Sequence, residues 1–233
     1  MASTATLAAP VAPPLELADP LESGERLTRA EFERRYEAMP EDFRAELIEG
    51  VVYVSSPVRI VHFDPENDLG GWLALYKAHT PGTQAGGNGT IRLDLDNEPQ
   101  PDLLLRILPE RGGQSGTSED DYVEGAPELV VEVAASSTKI DLHAKKNAYR
   151  RNGVREYLVW RVLDNEVDWF ILREGRYDRL APDEAGIYRS EVFPGLWLDV
   201  PALLRRDLAT VLDVLQQGIR TPEHQAFAER LAA

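Results

Sequence analysis

Between residues 127 and 160, two short apolar runs flank a polar stretch of helical character. The first run, residues 129–133, reads Leu-Val-Val-Glu-Val, and the second, residues 157–160, reads Tyr-Leu-Val-Trp. Ser136, Ser137 and Thr138 link the first run to a helical segment over residues 139–152, which Gly153 closes. Strand, helix, strand is the order of a parallel crossover. Alternation puts Val130, Glu132 and Ala134 on one face of the first strand and Leu129, Val131 and Val133 on the other. Glu132 breaks the apolar pattern. A lone carboxylate in a core strand is costly unless a cation or hydrogen bonds compensate it.

The remaining pattern supplies elements on either side. Thr28 with Glu31 three residues on has capping-box spacing and predicts a helix over residues 29–39, stopped by Pro40. Residues 45–54 read as a hairpin turning at Glu49-Gly50. Apolar positions at roughly helical spacing from 59 to 79 predict a helix starting near Pro65. The glycine-rich piece 82–89 reads as a turn feeding a strand at 90–95, and 102–107 reads as another short strand. Residues 109–125 form a polar, acidic loop. Beyond the crossover come a hairpin (167–172 with 175–177), a turn and strand at 193–198, helices at 201–204 and 208–217, and a loosely held helix at 222–233. The expected division is a disordered lead over 1–24, one domain over 25–205 and a helical extension over 206–233.

Composition narrows the function classes. The chain has 233 residues and no cysteine, which excludes disulfides and thiolate metal sites. No apolar stretch is long enough to cross a bilayer, and the Ala- and Pro-rich start does not read as a signal peptide, so the cytoplasm is the expected location. A net charge of −15 counts against indiscriminate binding to polyanions. Local basic positions or a bound cation can reverse the potential at a site.

The acids are the candidate chemistry. Asp102 opens one core strand and Glu132 lies in the next. Adjacent strands lie about 5 Å apart, so two carboxylates at matched heights can share a divalent cation. Oxygen donors suit Mg²⁺ or Mn²⁺, and the backbone carbonyl of Val133 is a natural further ligand. Lys145, on the following helix, can reach back over the sheet to orient or activate a water. Each residue also has a plain reading. Pro101-Asp102 is ordinary turn chemistry, Lys145 and Asp141 form a common i,i+4 pair on a solvated helix face, and Glu46 suits an exposed hairpin. His79 and His143 read as surface or packing residues. Lys145, Lys146, Arg150 and Arg151 form a basic patch, read either as a solvated helix face or as a phosphate-contacting surface.

Taken in order, these stretches resemble the Uma-type family of restriction endonucleases within the PD-(D/E)XK nuclease superfamily. The matching positions are Glu46-Leu47-Ile48-Glu49-Gly50, Pro101-Asp102 and Pro127 to Val133. They continue through Asp141, Lys145 and Tyr149, Gly153 to Val159, and Phe193-Pro194-Gly195-Leu196. The resemblance implies an α/β fold with a mixed sheet and flanking helices. It implies Asp102 and Glu132 as metal ligands, Lys145 as the catalytic lysine, Glu46 as an acid near that site and His62 as a matched histidine. The superfamily's lysine two residues after the acid is replaced by Ala134, so the lysine must come from the helix.

The expected function is therefore a Mg²⁺- or Mn²⁺-dependent endonuclease acting on DNA, with homodimerisation compatible. The alternative is a non-catalytic binding or scaffold protein on the same fold, or, more remotely, a metal-dependent hydrolase acting on something other than nucleic acid.

Overall fold

The computed structural model describes residues 19–55 and 60–233. The first 18 residues of the expected N-terminal lead lie outside the described residues. Helix α1 (Arg29–Tyr36) is capped by Thr28, whose hydroxyl accepts the Glu31 N–H at 3.4 Å. The reciprocal half of the capping box is not formed: the Glu31 carboxylate takes Arg34 instead. Strands β1 (Ala45–Ile48) and β2 (Val51–Val54) form the expected hairpin. Glu49 and Gly50 both have positive φ, the backbone of a type I′ turn.

Helix α2 (Ile60–Ala78) departs from expectation by running through Pro65. The bond a proline at 65 cannot make is the one to the residue 61 carbonyl, close to the helix start, where the loss is least disruptive. The glycine-rich piece read as a turn is instead strand β3 (Thr83–Gly87), and the strand expected after it shrinks to β4 (Ile91–Arg92). Tertiary pairing overrides propensity here. Strand β3 is hydrogen-bonded antiparallel along its length to β5 (Leu103–Ile107), and at Gly87 a Cβ would lie 2.8 Å from the Asp102 carbonyl oxygen. The acidic loop is more ordered than expected: β6 (Gly116–Thr117) and β7 (Val123–Glu124) join β4 in a small sheet.

Strand β8 (Leu129–Ala134) leads into α3 (Thr138–Ile140), a π-helical turn (Asp141–Lys145) and α4 (Lys146–Asn152), which Gly153 ends in the left-handed region. The chain returns as β9 (Glu156–Arg161), parallel to β8, so the crossover is as expected. Then follow β10 (Glu166–Arg173), β11 (Arg176–Arg179), β12 (Ile187–Arg189), β13 (Trp197–Asp199), α5 (Val200–Leu204), α6 (Leu208–Ile219) and α7 (Pro222–Ala232). The main sheet has the order β11-β10-β9-β8-β5-β3, with β8 and β9 parallel and its other pairs antiparallel.

Alternation in β8 sorts the core. Leu129, Val131 and Val133 pack with Leu69, Trp72, Leu73 and Tyr76 of α2 and with apolar residues of α5, α6 and α7. Val130 and Ala134 face the other way, onto Tyr149, Val154, Tyr157 and Val159. The sheet thus lies between two helical layers. Helix α7 is not loosely held: Phe227 and Leu231 are buried in the first cluster, and His224 lies 3.0 Å from the Thr80 hydroxyl.

Candidate active site

Antiparallel register pairs Leu103 of β5 with Val131 of β8. The ladder ends at that pair, and Asp102 reaches β8 through its side chain, at the backbone of the residue after Glu132. Asp102 sits just before the start of β5, and its Oδ2 accepts the Val133 N–H at 2.6 Å. Glu132 is 3% exposed, on the side covered by the crossover helix. Its Oε1 accepts from the Lys145 ammonium at 3.0 Å and from the Tyr149 hydroxyl at 3.0 Å.

Lys145 is the hub of this buried group. Its Nζ lies 2.8 Å from Glu46 Oε1, 3.0 Å from Glu132 Oε1 and 3.9 Å from Asp141 Oδ1. The same oxygen of Glu46, on β1, also accepts the Gln100 N–H at 2.6 Å. The π-helical turn spans the interval from Asp141 to Lys145, and such turns are frequent at functional sites. Asp141 is 1% exposed, and its Oδ2 is buried without a hydrogen-bond partner among the described residues.

Electrostatics follow from this crowding. Burial pushes Glu132 well above the usual carboxylate range, with Asp141, Asp102 and Glu46 adding to the rise and Lys145 opposing it. Burial likewise raises Asp141 to about 6. Burial works against the charge on Lys145, but Glu132, Glu46 and Asp141 together outweigh it and lift the pKa above the ordinary lysine value. Three carboxylates thus surround one ammonium, with Asp102 close by, an excess of negative charge that suits a further cation.

Beside Asp102 the structure places His62, the histidine matched by resemblance, and adds Glu66, which the sequence did not single out. His62 and Glu66 stand one turn apart on α2, near Asp102. One ligand atom each from His62, Glu66 and Asp102 lies within 4.8 Å of the others, and among the described residues these three form the only such group. Glu132 is not part of it. The signal that could have found Glu66 was its i,i+4 spacing from His62, which a helix turns onto one face.

Other expectations resolve as follows. Asp141 and Lys145 do not lie on a solvated helix face, because the covering helix turns them into the protein. The basic patch is not one surface: Lys145 is buried, Lys146 stacks on the Phe170 ring at 3.8 Å, Arg150 donates to the Gly175 carbonyl, and Arg151 faces Glu49. His79 and His143 are exposed and join no metal-type cluster among the described residues.

The arrangement of sheet, crossover helix and clustered acids defines a class. A crystal structure of a "putative nuclease belonging to DUF820" from Anabaena variabilis superposes with a TM-score of 0.58, covering 77% of this chain and 98% of that one at 16% identity. The two share a mixed α/β fold. The family model described as "Uma2: Putative restriction endonuclease" matches residues 29–201, and the chain belongs to that family. No curated protein matches the sequence. No helix among the described residues is long and apolar enough to cross a membrane.

Proposed function

We propose that the protein is a divalent-metal-dependent endonuclease that hydrolyses phosphodiester bonds in DNA. The observation that supports this reading is the buried group of Glu132, Lys145 and Glu46, with Asp102 bonded to the backbone of Val133, in a chain of a restriction endonuclease family.

Asp102 and Glu132 would hold the ion, Mg²⁺ or Mn²⁺, with the Val133 carbonyl. That carbonyl leaves the strand on the same side as the N–H that Asp102 accepts. The surplus of carboxylates over ammonium favours such an ion. A bound divalent cation supplies Lewis-acid polarisation of a phosphoryl oxygen and a more acidic water. Lys145 acts as an ammonium: three carboxylates stabilise its charge, which suits it to orient a water and offset phosphate charge rather than to abstract a proton. Glu46 and Asp141 hold that ammonium in line. Tyr149 and Lys145 together occupy Glu132 Oε1 and leave Oε2 for the site.

Replacing Glu132 by Gln tests the assignment with little change of shape. DNA cleavage in Mg²⁺ should fall by at least ~10²-fold, the scale of losing a group that stabilises transition-state charge, with an unaltered circular dichroism spectrum. Cleavage at the wild-type rate would remove Glu132 from the mechanism.

A further inference from the structure

We propose that His62 and Glu66 complete a metal site with Asp102, and that the nitrogen donor makes it prefer Mn²⁺ to Mg²⁺. This rests on reading the same region as a metal-dependent nuclease site.

The geometry of the three side chains carries the inference. Each acid has one oxygen fixed by a neutral amide donor and presents the other to the imidazole. Glu66 Oε1 accepts from the Asn88 side chain at 2.7 Å, and Glu66 Oε2 lies 3.6 Å from His62 Nδ1. Asp102 Oδ2 accepts the Val133 N–H, and Asp102 Oδ1 lies 3.5 Å from His62 Nε2. Such outer donors orient metal-ligating carboxylates.

The gaps around the ring are too long for strong hydrogen bonds, and His62 Nδ1 is buried without a hydrogen-bond partner among the described residues. For an ion about 2.1 Å from each ligand, octahedral geometry puts neighbouring donors roughly 3 Å apart and opposite donors roughly 4 Å apart. The donors already lie within 4.8 Å of one another, and because the two acids face different ring nitrogens, a turn of the His62 ring brings one nitrogen onto an ion shared with both carboxylates.

Chemistry then selects the ion. Mg²⁺ takes oxygen ligands and keeps its waters, whereas an imidazole nitrogen favours later divalent metals. One ring nitrogen beside two carboxylates therefore favours Mn²⁺, the softer of the two ions compatible with the proposed chemistry.

The test is Mn²⁺ binding to the full chain without nucleic acid, followed by electron paramagnetic resonance, with Mg²⁺ as competitor. Wild type should bind Mn²⁺ with a ¹⁴N coupling from a histidine, and Mg²⁺ should displace it only at roughly tenfold or greater excess. His62→Ala should lose the coupling and bind Mn²⁺ at least ~10-fold more weakly, while Mg²⁺ affinity changes less. Glu66→Gln should weaken Mn²⁺ binding but keep the coupling. Mn²⁺ bound at wild-type strength by His62→Ala, or bound by wild type without nitrogen coupling, overturns this proposal and leaves Asp102 and Glu132 as the metal pair. No Mn²⁺ binding by wild type overturns both readings. Circular dichroism of each variant separates loss of a ligand from loss of the fold.

Discussion

Lys145 is the residue on which the buried charges balance. With its ammonium removed, Glu132, Glu46 and Asp141 face one another without a counter-ion. Breaking a buried ion pair from one side costs about 3–5 kcal/mol. Lys145→Met should therefore lower urea stability by that order at neutral pH, with a smaller loss at about pH 5, where carboxylates with raised pKa values take up protons. Equal stability at neutral pH would contradict the arrangement. Glu156 makes a separate prediction. It is fully buried and accepts from the Ser190 hydroxyl and from the N–H groups of Glu191 and Val192, yet burial still pushes it up to about 7. Its folded-state value lies above the ordinary 4.5, so its stabilising effect is complete below about pH 4.5 and is lost as pH rises through about 7. Relative to Glu156→Gln, wild type should lose about 3 kcal/mol across that interval; denaturation at a series of pH values with no such divergence would contradict it. Glu132 was legible in the sequence because an acid interrupts an apolar run. The burial of Asp141 and Lys145 was not, since four-residue spacing is the same on a solvated face and on a covered one. His62 was legible only through resemblance, and Glu66 was not legible, because its neighbour Asp102 is distant in sequence.

At the scale of elements, the strand–helix–strand unit was readable from periodicity and turn residues alone, because β8 and β9 are apolar and Gly153 marks the helix end. Strand β3 was not, because its glycines have no strand preference of their own and the partner strand β5 imposes the conformation. The two glycines at its end should respond differently. A Cβ on Gly86 meets nothing within 4 Å, whereas one on Gly87 would lie 2.8 Å from the Asp102 carbonyl oxygen. Gly86→Ala should be tolerated within about 0.5 kcal/mol. Gly87→Ala should cost about 1–3 kcal/mol through overpacking and should slow cleavage by displacing Asp102. Thermal melts and cleavage rates of the pair check this, and indistinguishable variants would contradict the close approach. The π-helical turn was equally invisible in sequence, since its wide winding is decided by the groups its side chains must reach.

For the whole molecule, the last helix is part of the core. Helix α7 buries Phe227 and Leu231 against the cluster that backs the sheet, and its His224 meets Thr80 at the end of α2. At about 1.5–3 kcal/mol for each large apolar side chain, a chain ending at Thr221 should lose on the order of 4 kcal/mol in urea denaturation; full stability after truncation would contradict the packing. The docking of this tail is not legible in the sequence, because its apolar positions are sparse and their partners, in and after α2 and in the 193–196 turn, lie far away in the chain. The overall charge of −15 makes indiscriminate DNA adhesion unfavourable. The most direct measurement is therefore cleavage of supercoiled plasmid DNA by wild type and Asp102→Asn, with and without Mg²⁺ or Mn²⁺. The account predicts nicking or linearisation by wild type only when a divalent ion is present, and none by the variant. Cleavage that survives a chelator, or that Asp102→Asn carries out at the wild-type rate, would contradict it.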